Sequence, residues 1–303
     1  MKFLKQVFLE FGQDHCGMLA AALSYYTLFA LPPLMYLLMM VLTAGLSVAY
    51  DSDAAEKEAA RVLEDQAAQL LGGEEAAEQV STMIDRADRS GNKWWKALLG
   101  VAGVMLGATG LLATLQRSLN LVWSVKADPD RPLFKVFLRQ RFVAFAVILG
   151  MGVLLLASVA ASAVIGYLGD TAETVLGVRP VSAAVTAYVV QAVIAFVAFA
   201  VLFKVLPEVK VAWSDVVVGS LITTVLFLAG RVAIQQYFAF NNPAARVGSA
   251  AASLAVILAW VYYSSMILLF GAEATQVYAN RHGSGVRLKR RAVRIVESIE
   301  RPE

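Results

Sequence analysis

The sequence predicts an all-α, polytopic membrane protein with six transmembrane helices, an N-terminal interfacial helix and a helical extracytoplasmic cap. Of its 303 residues, 59% are apolar and 16% are charged, and the mean hydropathy is +0.65. A soluble domain usually carries about 25% charged residues, because it must cover its surface. The apolar residues also form long blocks, and blocks of about 20 residues are what a hydrocarbon core of about 30 Å requires.

Residues 1–17 are expected to form an amphipathic helix. Phe3, Val7 and Phe11 recur at helical spacing, with charged and amide side chains between them. This pattern suits a helix that lies in the cytoplasmic membrane interface. An equally good interpretation is that the segment is the packed start of the first spanning helix.

The first span is placed at Met18–Val48, which would measure roughly 45 Å and so exceed the hydrocarbon thickness. Pro32 and Pro33 lie near its middle. Neither proline supplies a backbone N–H and each ring clashes with the preceding turn, so a kink or break is expected there. A half-helix that begins at Pro33 would point its positive N-terminal end toward the membrane midplane.

The segment 51–93 is acidic, with apolar residues recurring through it and a Gly-Gly pair at 72–73. This composition predicts two amphipathic helices outside the membrane, packed over its surface as a cap. The remaining spans are placed at Trp94–Leu115, Phe142–Tyr167, Val181–Val205, Val216–Ala239 and Ser249–Tyr278. The membrane domain therefore covers 18–280, and a basic tail follows at 281–303.

The distribution of Lys and Arg predicts the orientation. Seventeen of the 26 lie in the N-terminal segment, the 116–141 connection, the flanks of the 206–215 connection and the tail. Because positive residues accumulate on the cytoplasmic side of membrane proteins, this face is expected to lie inside. Six spans return the chain to the side on which it started, so both termini are expected in the cytoplasm.

Enzyme signatures are nearly absent from the sequence. His15 and His282 lie near opposite ends of the chain, and Cys16 is the sole thiol. No disulfide framework, zinc-ligand spacing or phosphate-binding loop can therefore be recognised. The formal net charge of +3 is too small to indicate nucleic acid as a partner. We expect no catalytic residue, no metal and no cofactor.

Arg231 is a basic residue inside a predicted span. It lies about 6 Å beyond the midplane, where an unpaired charge costs several kcal/mol. Gln191 and the broken first helix are its expected neighbours, and this arrangement could attract an anionic group such as a lipid phosphate. Snorkelling to headgroups about 12 Å away is the alternative interpretation. The candidate contacts are Arg231, Gln191, Pro32, Pro33, Tyr25 and Tyr26, although the tyrosines also suit interface anchors.

Glu273 is the one carboxylate within a predicted span, near the cytoplasmic end of the last helix. It is expected roughly 20 Å or more in depth from Arg231, which is too far for an ion pair. Arg117 and Lys204 are nearer candidates for a structural salt bridge. Together with Asn120, these residues form the predicted set of structural polar side chains.

Four segments together resemble a known family. They are AALSYYTLFALPPLMYLL, LQRSLNLVW, FKVLPEVKVAWSDVVVGSLITTVLF and VGSAAASLAVILAWVYYSSMILLFGAEATQVYA. In this order they are similar to segments of the YihY/BrkB family of bacterial inner-membrane proteins. The similarity covers most of the chain from about Ala20 to Ala279, and the acidic 51–93 segment matches least well.

The resemblance implies a six-helix domain in the bacterial inner membrane. Members were once labelled ribonuclease BN, but this sequence has no recognisable metal-ligand set for phosphodiester hydrolysis. Other members are linked to serum resistance or to tolerance of altered lipopolysaccharide precursors. The leading hypothesis is therefore a transporter or exporter of an envelope lipid or another anionic amphiphile. The alternative is a non-transporting envelope structural or interaction protein, and either hypothesis is compatible with a homo-oligomer.

Overall fold

The protein, in a computed structural model, is mostly helical. The structure describes residues 2–48, 51–71, 110–127, 142, 146, 149–150, 152–154, 156–157, 181–241, 250–283, 287–289 and 292–294. The helices are α1 (Lys2–Gln13), α2 (Cys16–Leu46), α3 (Ser52–Leu71), α4 (110–122), α5 (Val181–Val205), α6 (Trp213–Asn241) and α7 (Ala250–His282), and the described residues from 142 to 157 are also helical. The strands are β1 (Val125–Ala127), β2 (Val209–Lys210), β3 (Arg287–Leu288) and β4 (Ala292–Arg294).

Within the described ranges, α5, α6 and α7 are long and apolar enough to cross a membrane. Their spanning segments are Tyr188–Val205, Trp213–Ala233 and Ile257–His282, which match the predicted fourth, fifth and sixth spans. α2 contributes the shorter apolar stretch Cys16–Leu31. Much of the predicted second and third spans falls outside the described residues. The helical membrane fold is confirmed, and the six-span topology stays a prediction.

α2 passes through Pro32 and Pro33 as one uninterrupted helix. The helix is therefore not broken and no half-helix begins at Pro33, and the kink that was predicted as the alternative stays a prediction. Two adjacent prolines remove two N–H donors, but the hydrogen bonds of the turns before and after them are enough to keep the backbone helical. The positive helix end that a break would have placed near the midplane does not exist.

α1 and α2 are separate helices joined by a tight turn at Asp14 and His15. His15 has a left-handed backbone with φ of 51°, a conformation that histidine adopts more readily than most residues. The turn brings α1 against α7, where Val7 is buried with Ala274 and Val277. α1 is therefore not the start of the first span, and its place in the membrane interface stays a prediction.

α6 and α7 pack against each other in an antiparallel seam. Gly219 faces Thr275, and Thr223 faces Gly271; we call these four residues the α6–α7 seam. Each threonine hydroxyl donates at 2.7 Å to the carbonyl oxygen of the glycine one turn before it, so neither is left unpaired in apolar surroundings. A Cβ atom on Gly219 would overlap the Thr275 hydroxyl, so this approach requires glycine.

Short antiparallel strands close one end of the helices. β1 pairs with β4, with Val125 opposite Arg294, and β2 pairs with β3, with Val209 opposite Leu288. Because β1 follows α4, β2 joins α5 to α6, and β3 and β4 follow α7, these helix ends lie together. We call the end that carries β1–β4 the basic end. The strands depart from the all-α prediction, because the tail pairs its backbone groups with those of two connections.

α3 folds back beside the end of α2 that lies away from the basic end. The buried contact is formed by Leu38, Leu42, Ala59, Val62 and Leu63. The first amphipathic helix predicted in the acidic segment is therefore present. The second one lies outside the described residues, and the position of the pair as a cap stays a prediction.

Candidate functional site

Arg231 lies in the spanning segment of α6, and its side chain is half-buried. The guanidinium donates a hydrogen bond to the side-chain oxygen of Gln191 on α5, so the structure brings these two predicted neighbours together. Tyr188, one turn earlier on α5, is 67% exposed and near enough to interact with the guanidinium electrostatically. We call these three side chains the Arg231 site.

The Arg231 site carries a positive charge with no neighbouring carboxylate in the described part of the chain. The ion pair found among the described residues joins Arg61 to Glu58 on α3 at 4.0 Å and does not involve Arg231. A guanidinium has five N–H donors, and Gln191 offers it a neutral acceptor. A charge within a membrane costs several kcal/mol unless it is paired or hydrated. The site is therefore suited to an anionic oxygen.

Glu273 does not neutralise Arg231. Glu273 lies midway between Gly271 and Thr275 on α7. Because these two residues face Thr223 and Gly219 on α6, Glu273 is level with position 221 of α6. Arg231 is about ten residues further along α6, which corresponds to about 15 Å. This separation is too long for an ion pair between Glu273 and Arg231, as the sequence predicted.

Glu273 is fully buried where α7 meets the turn between α1 and α2. Its Oε1 accepts a hydrogen bond from the Cys16 thiol at 3.4 Å, and no N–H, S–H or alcohol O–H group of the described ranges donates to its Oε2. The Asp14 carboxyl lies within hydrogen-bonding reach of Glu273 and can donate to it when it carries a proton. Asp14 and Glu10 lie close enough to act on it electrostatically. We call Glu10, Asp14, Cys16 and Glu273 the carboxyl cluster.

The salt bridge predicted for Glu273 is wrong. Lys204 donates instead to the backbone carbonyl oxygen of Val211 and lies 5.0 Å from the centre of the Trp213 ring. Arg117 is exposed and makes no ion pair within the described ranges. Both cations lie toward the basic end, as predicted, but Lys204 is used to close the turn between α5 and α6.

Asn120 connects α4 to the turn between α5 and α6. Its Oδ1 accepts a hydrogen bond from the backbone N–H of Glu208 at 2.8 Å, and Gln116 donates to the Glu208 carboxylate at 3.3 Å. Lys289 of the tail donates to the carbonyl oxygen of Pro207 at 2.6 Å. The Leu-Asn and Leu-Pro dipeptides of the resemblance thus meet in one polar network at the basic end.

Tyr25 and Tyr26 make no contact with the Arg231 site that the described residues show. Tyr25 and Tyr26 are exposed, and the ring contacts described for them are with each other and with Phe29. Pro32 and Pro33 lie in the unbroken part of α2, and the positions of their side chains are outside the described structure.

Several neighbours were not predicted. Tyr188 precedes Gln191 by three residues, which places both on one helix face, so spacing alone could have indicated it. Asp14 and Cys16 are far from Glu273 in the sequence, and their proximity depends on the turn that reverses the chain before α2. No local pattern indicates that contact.

Comparison with known proteins identifies the family. The sequence profile of the family described as virulence factor BrkB matches residues 7–296. A UPF0761 membrane protein of Halorhodospira halophila is 29% identical over 275 residues, which are 87% of this chain and 54% of the relative. A UPF0761 membrane protein of Alkalilimnicola ehrlichii is 28% identical over 301 residues, which are 97% of this chain and 63% of the relative.

The chain therefore spans between 54% and 63% of the length of these two relatives. No solved structure matches it significantly. The family match begins within α1 and extends through α7 and the strands of the basic end, and it confirms the resemblance to the YihY/BrkB proteins. This chain belongs to the virulence factor BrkB family of integral membrane proteins.

Proposed function

We propose that this membrane protein binds an anionic amphiphile, such as a phospholipid or a lipopolysaccharide precursor, at the Arg231 site and transports it. The supporting observation is the half-buried guanidinium, which lies in a spanning helix beside Gln191 with no carboxylate partner among the described residues. The ligand is moved without chemical change, so we propose no enzymatic activity.

The hydrogen-bond donors of Arg231 suit a lipid phosphate. A planar guanidinium can donate to two phosphate oxygens at once, and Gln191 fixes its orientation from one side. Tyr188, Val189 and Val232 are exposed beside it. A headgroup held at Arg231 would therefore have an apolar surface next to it for its acyl chains.

Binding can be tested by titrating the purified protein with phosphatidylglycerol and, as a phosphate-free comparison, diacylglycerol. The Arg231→Met variant is expected to weaken phosphatidylglycerol binding roughly tenfold to hundredfold, because a charge-assisted hydrogen bond contributes about 1.5–3 kcal/mol. Arg117→Met removes the same charge from an exposed position and should leave the affinity unchanged. Equal affinity of wild type and Arg231→Met would contradict the proposal.

Transport can be tested in liposomes that contain fluorescent phosphatidylglycerol, with a membrane-impermeant quencher added outside. Wild type and Arg117→Met are expected to expose inner-leaflet lipid to the quencher, and Arg231→Met is expected to lose this activity. Binding at the Arg231 site without translocation by the wild type would instead favour the alternative, a non-transporting envelope structural or interaction protein.

We also propose that the protein lies in the bacterial inner membrane with its basic end in the cytoplasm. The support is the positive charge of this end, because positive residues accumulate on the cytoplasmic side of membrane proteins. The strands β1–β4 and α1 lie together at this end of the spanning helices. Green fluorescent protein joined after the tail would then fluoresce, whereas alkaline phosphatase at the same place would be inactive. An inactive fluorescent protein together with an active phosphatase would contradict this orientation and place the basic end outside the cytoplasm.

A further inference from the structure

Glu273 is a buried carboxyl group without a positive partner among the described residues. It is fully buried, Oε1 accepts from the Cys16 thiol at 3.4 Å, and Oε2 accepts from no N–H, S–H or alcohol O–H group there, while the Asp14 carboxyl lies within hydrogen-bonding reach of Glu273. An isolated carboxylate in apolar surroundings is costly, and buried charges are normally paired or neutralised. Glu273 therefore requires a bound cation or a proton.

The groups that face Glu273 do not supply a positive charge. α1 contributes Glu10 and the following turn contributes Asp14, both of which act on it electrostatically, while α2 contributes the thiol of Cys16. α6 contributes Asp215, which lies near the end of α7 about 15 Å further along. Because ionised Glu273 would face like charges, its neutral form is favoured.

A proton fits the carboxyl cluster better than a metal ion does. Across the described ranges, no three His, Cys, Asp or Glu side chains converge to hold a metal. Arg281, about 12 Å further along α7, is engaged with Gln6, to which its Nε donates at 2.8 Å.

We propose that Glu273 is a proton-carrying site that exchanges with solvent at the basic end through Asp14. Asp14 is half-buried and close to Glu273, so it reaches both water and the buried carboxyl. A proton leaves the Asp14 carboxyl and forms an O–H bond at Oε2 of Glu273, after which the Asp14 carboxylate takes a proton from water. The reverse steps return the proton.

This proposal is independent of the Arg231 site, and it would hold even if no lipid were bound there. It gives the protein a group through which a proton gradient can act, a role typical of ionisable residues within membrane helices. Its test therefore measures chemical modification of the Glu273 carboxyl group and does not measure transport.

The experiment uses the full chain and dicyclohexylcarbodiimide, an apolar reagent that modifies protonated carboxyl groups, followed by peptide mass mapping across a pH series. We expect a stable adduct at Glu273 that declines as the pH rises and is not reduced by sodium chloride. Glu208 and Asp215 serve as internal controls, because both are buried but accept side-chain hydrogen bonds. They should carry at least about tenfold less adduct.

Asp14→Asn removes the nearest like charge and is expected to shift the decline of the Glu273 adduct to lower pH. Asp53→Asn, an exposed substitution on α3, should not shift it. Because the wild-type peptide map locates the adduct, the test does not require any variant to fold. Absence of an adduct at Glu273, equal adducts at Glu208 and Asp215, or protection by sodium would each overturn the proposal.

Discussion

Gly219 lies in the α6–α7 seam, and the Gly219→Ala variant tests whether this seam tolerates an added methyl group. A Cβ atom there would lie 2.8 Å from the backbone carbonyl oxygen of Gly271 and would overlap the hydroxyl of Thr275. The hydroxyl can rotate, but the carbonyl oxygen belongs to a helix backbone and cannot. The two helices must therefore separate or distort to admit one methyl group.

The expected cost follows from two opposing effects. Overpacking of this kind costs about 1–3 kcal/mol, and the higher helix propensity of alanine offsets at most about 1 kcal/mol of it. We expect a net loss in the free energy of unfolding on the order of 1–2 kcal/mol, which lowers the melting temperature by roughly 2–8 °C.

The sole cysteine of the chain provides the assay. Cys16 is fully buried, so a fluorogenic maleimide reports its exposure as the detergent-solubilised protein is heated. Gly150→Ala is the matched control, because a Cβ atom there meets nothing within 4 Å; its melting temperature should equal or exceed that of the wild type. Adding Thr275→Ala to Gly219→Ala should recover part of the loss, since neighbouring sites couple. A Gly219→Ala protein as stable as the wild type would refute the reasoning.

Two further predictions concern the polar network at the basic end. Asn120→Ala leaves the buried N–H of Glu208 without its acceptor and should lower the free energy of unfolding by about 1–3 kcal/mol, which the same melting assay would detect. Asn120→Asp should have a smaller effect because it keeps an acceptor oxygen. An unchanged melting temperature for Asn120→Ala would contradict this prediction. Lys289→Met removes the donor to Pro207, so trypsin should cleave the tail roughly tenfold faster. Lys126→Met, an exposed control, should not alter cleavage, and equal rates for both variants would count against the role of Lys289.

The spanning helices could be predicted from the sequence because their signal is local. The placement of Val181–Val205 agrees with α5 residue for residue. The fifth span, Val216–Ala239, lies within α6, and the sixth, Ser249–Tyr278, begins one residue before α7 and ends within it. The break at Pro32 and Pro33 was mispredicted because proline rules concern single hydrogen bonds. A long helix continues through two prolines when the turns on both sides remain bonded.

The polar contacts were harder to predict, because they depend on which helix faces meet. Arg231 and Gln191 were placed together by depth alone, since each lies well inside an apolar span. Glu273 was matched to the wrong partners, because Lys204 satisfies a backbone oxygen two residues before Trp213 instead. The strand pairs of the tail could not be foreseen either, since two or three residues of extended backbone carry no recognisable pattern.

The pairing of β3 and β4 with earlier connections has a consequence for how the protein is made. β1 and β2 emerge from the ribosome before α7 exists, and the strands that complete them follow α7 in the chain. Until α7 has been inserted, both connections present unpaired backbone edges, which are sites of misassociation and of proteolysis. Closure of the basic end therefore follows the insertion of α7, and a chain stalled before β3 would keep both of these edges open.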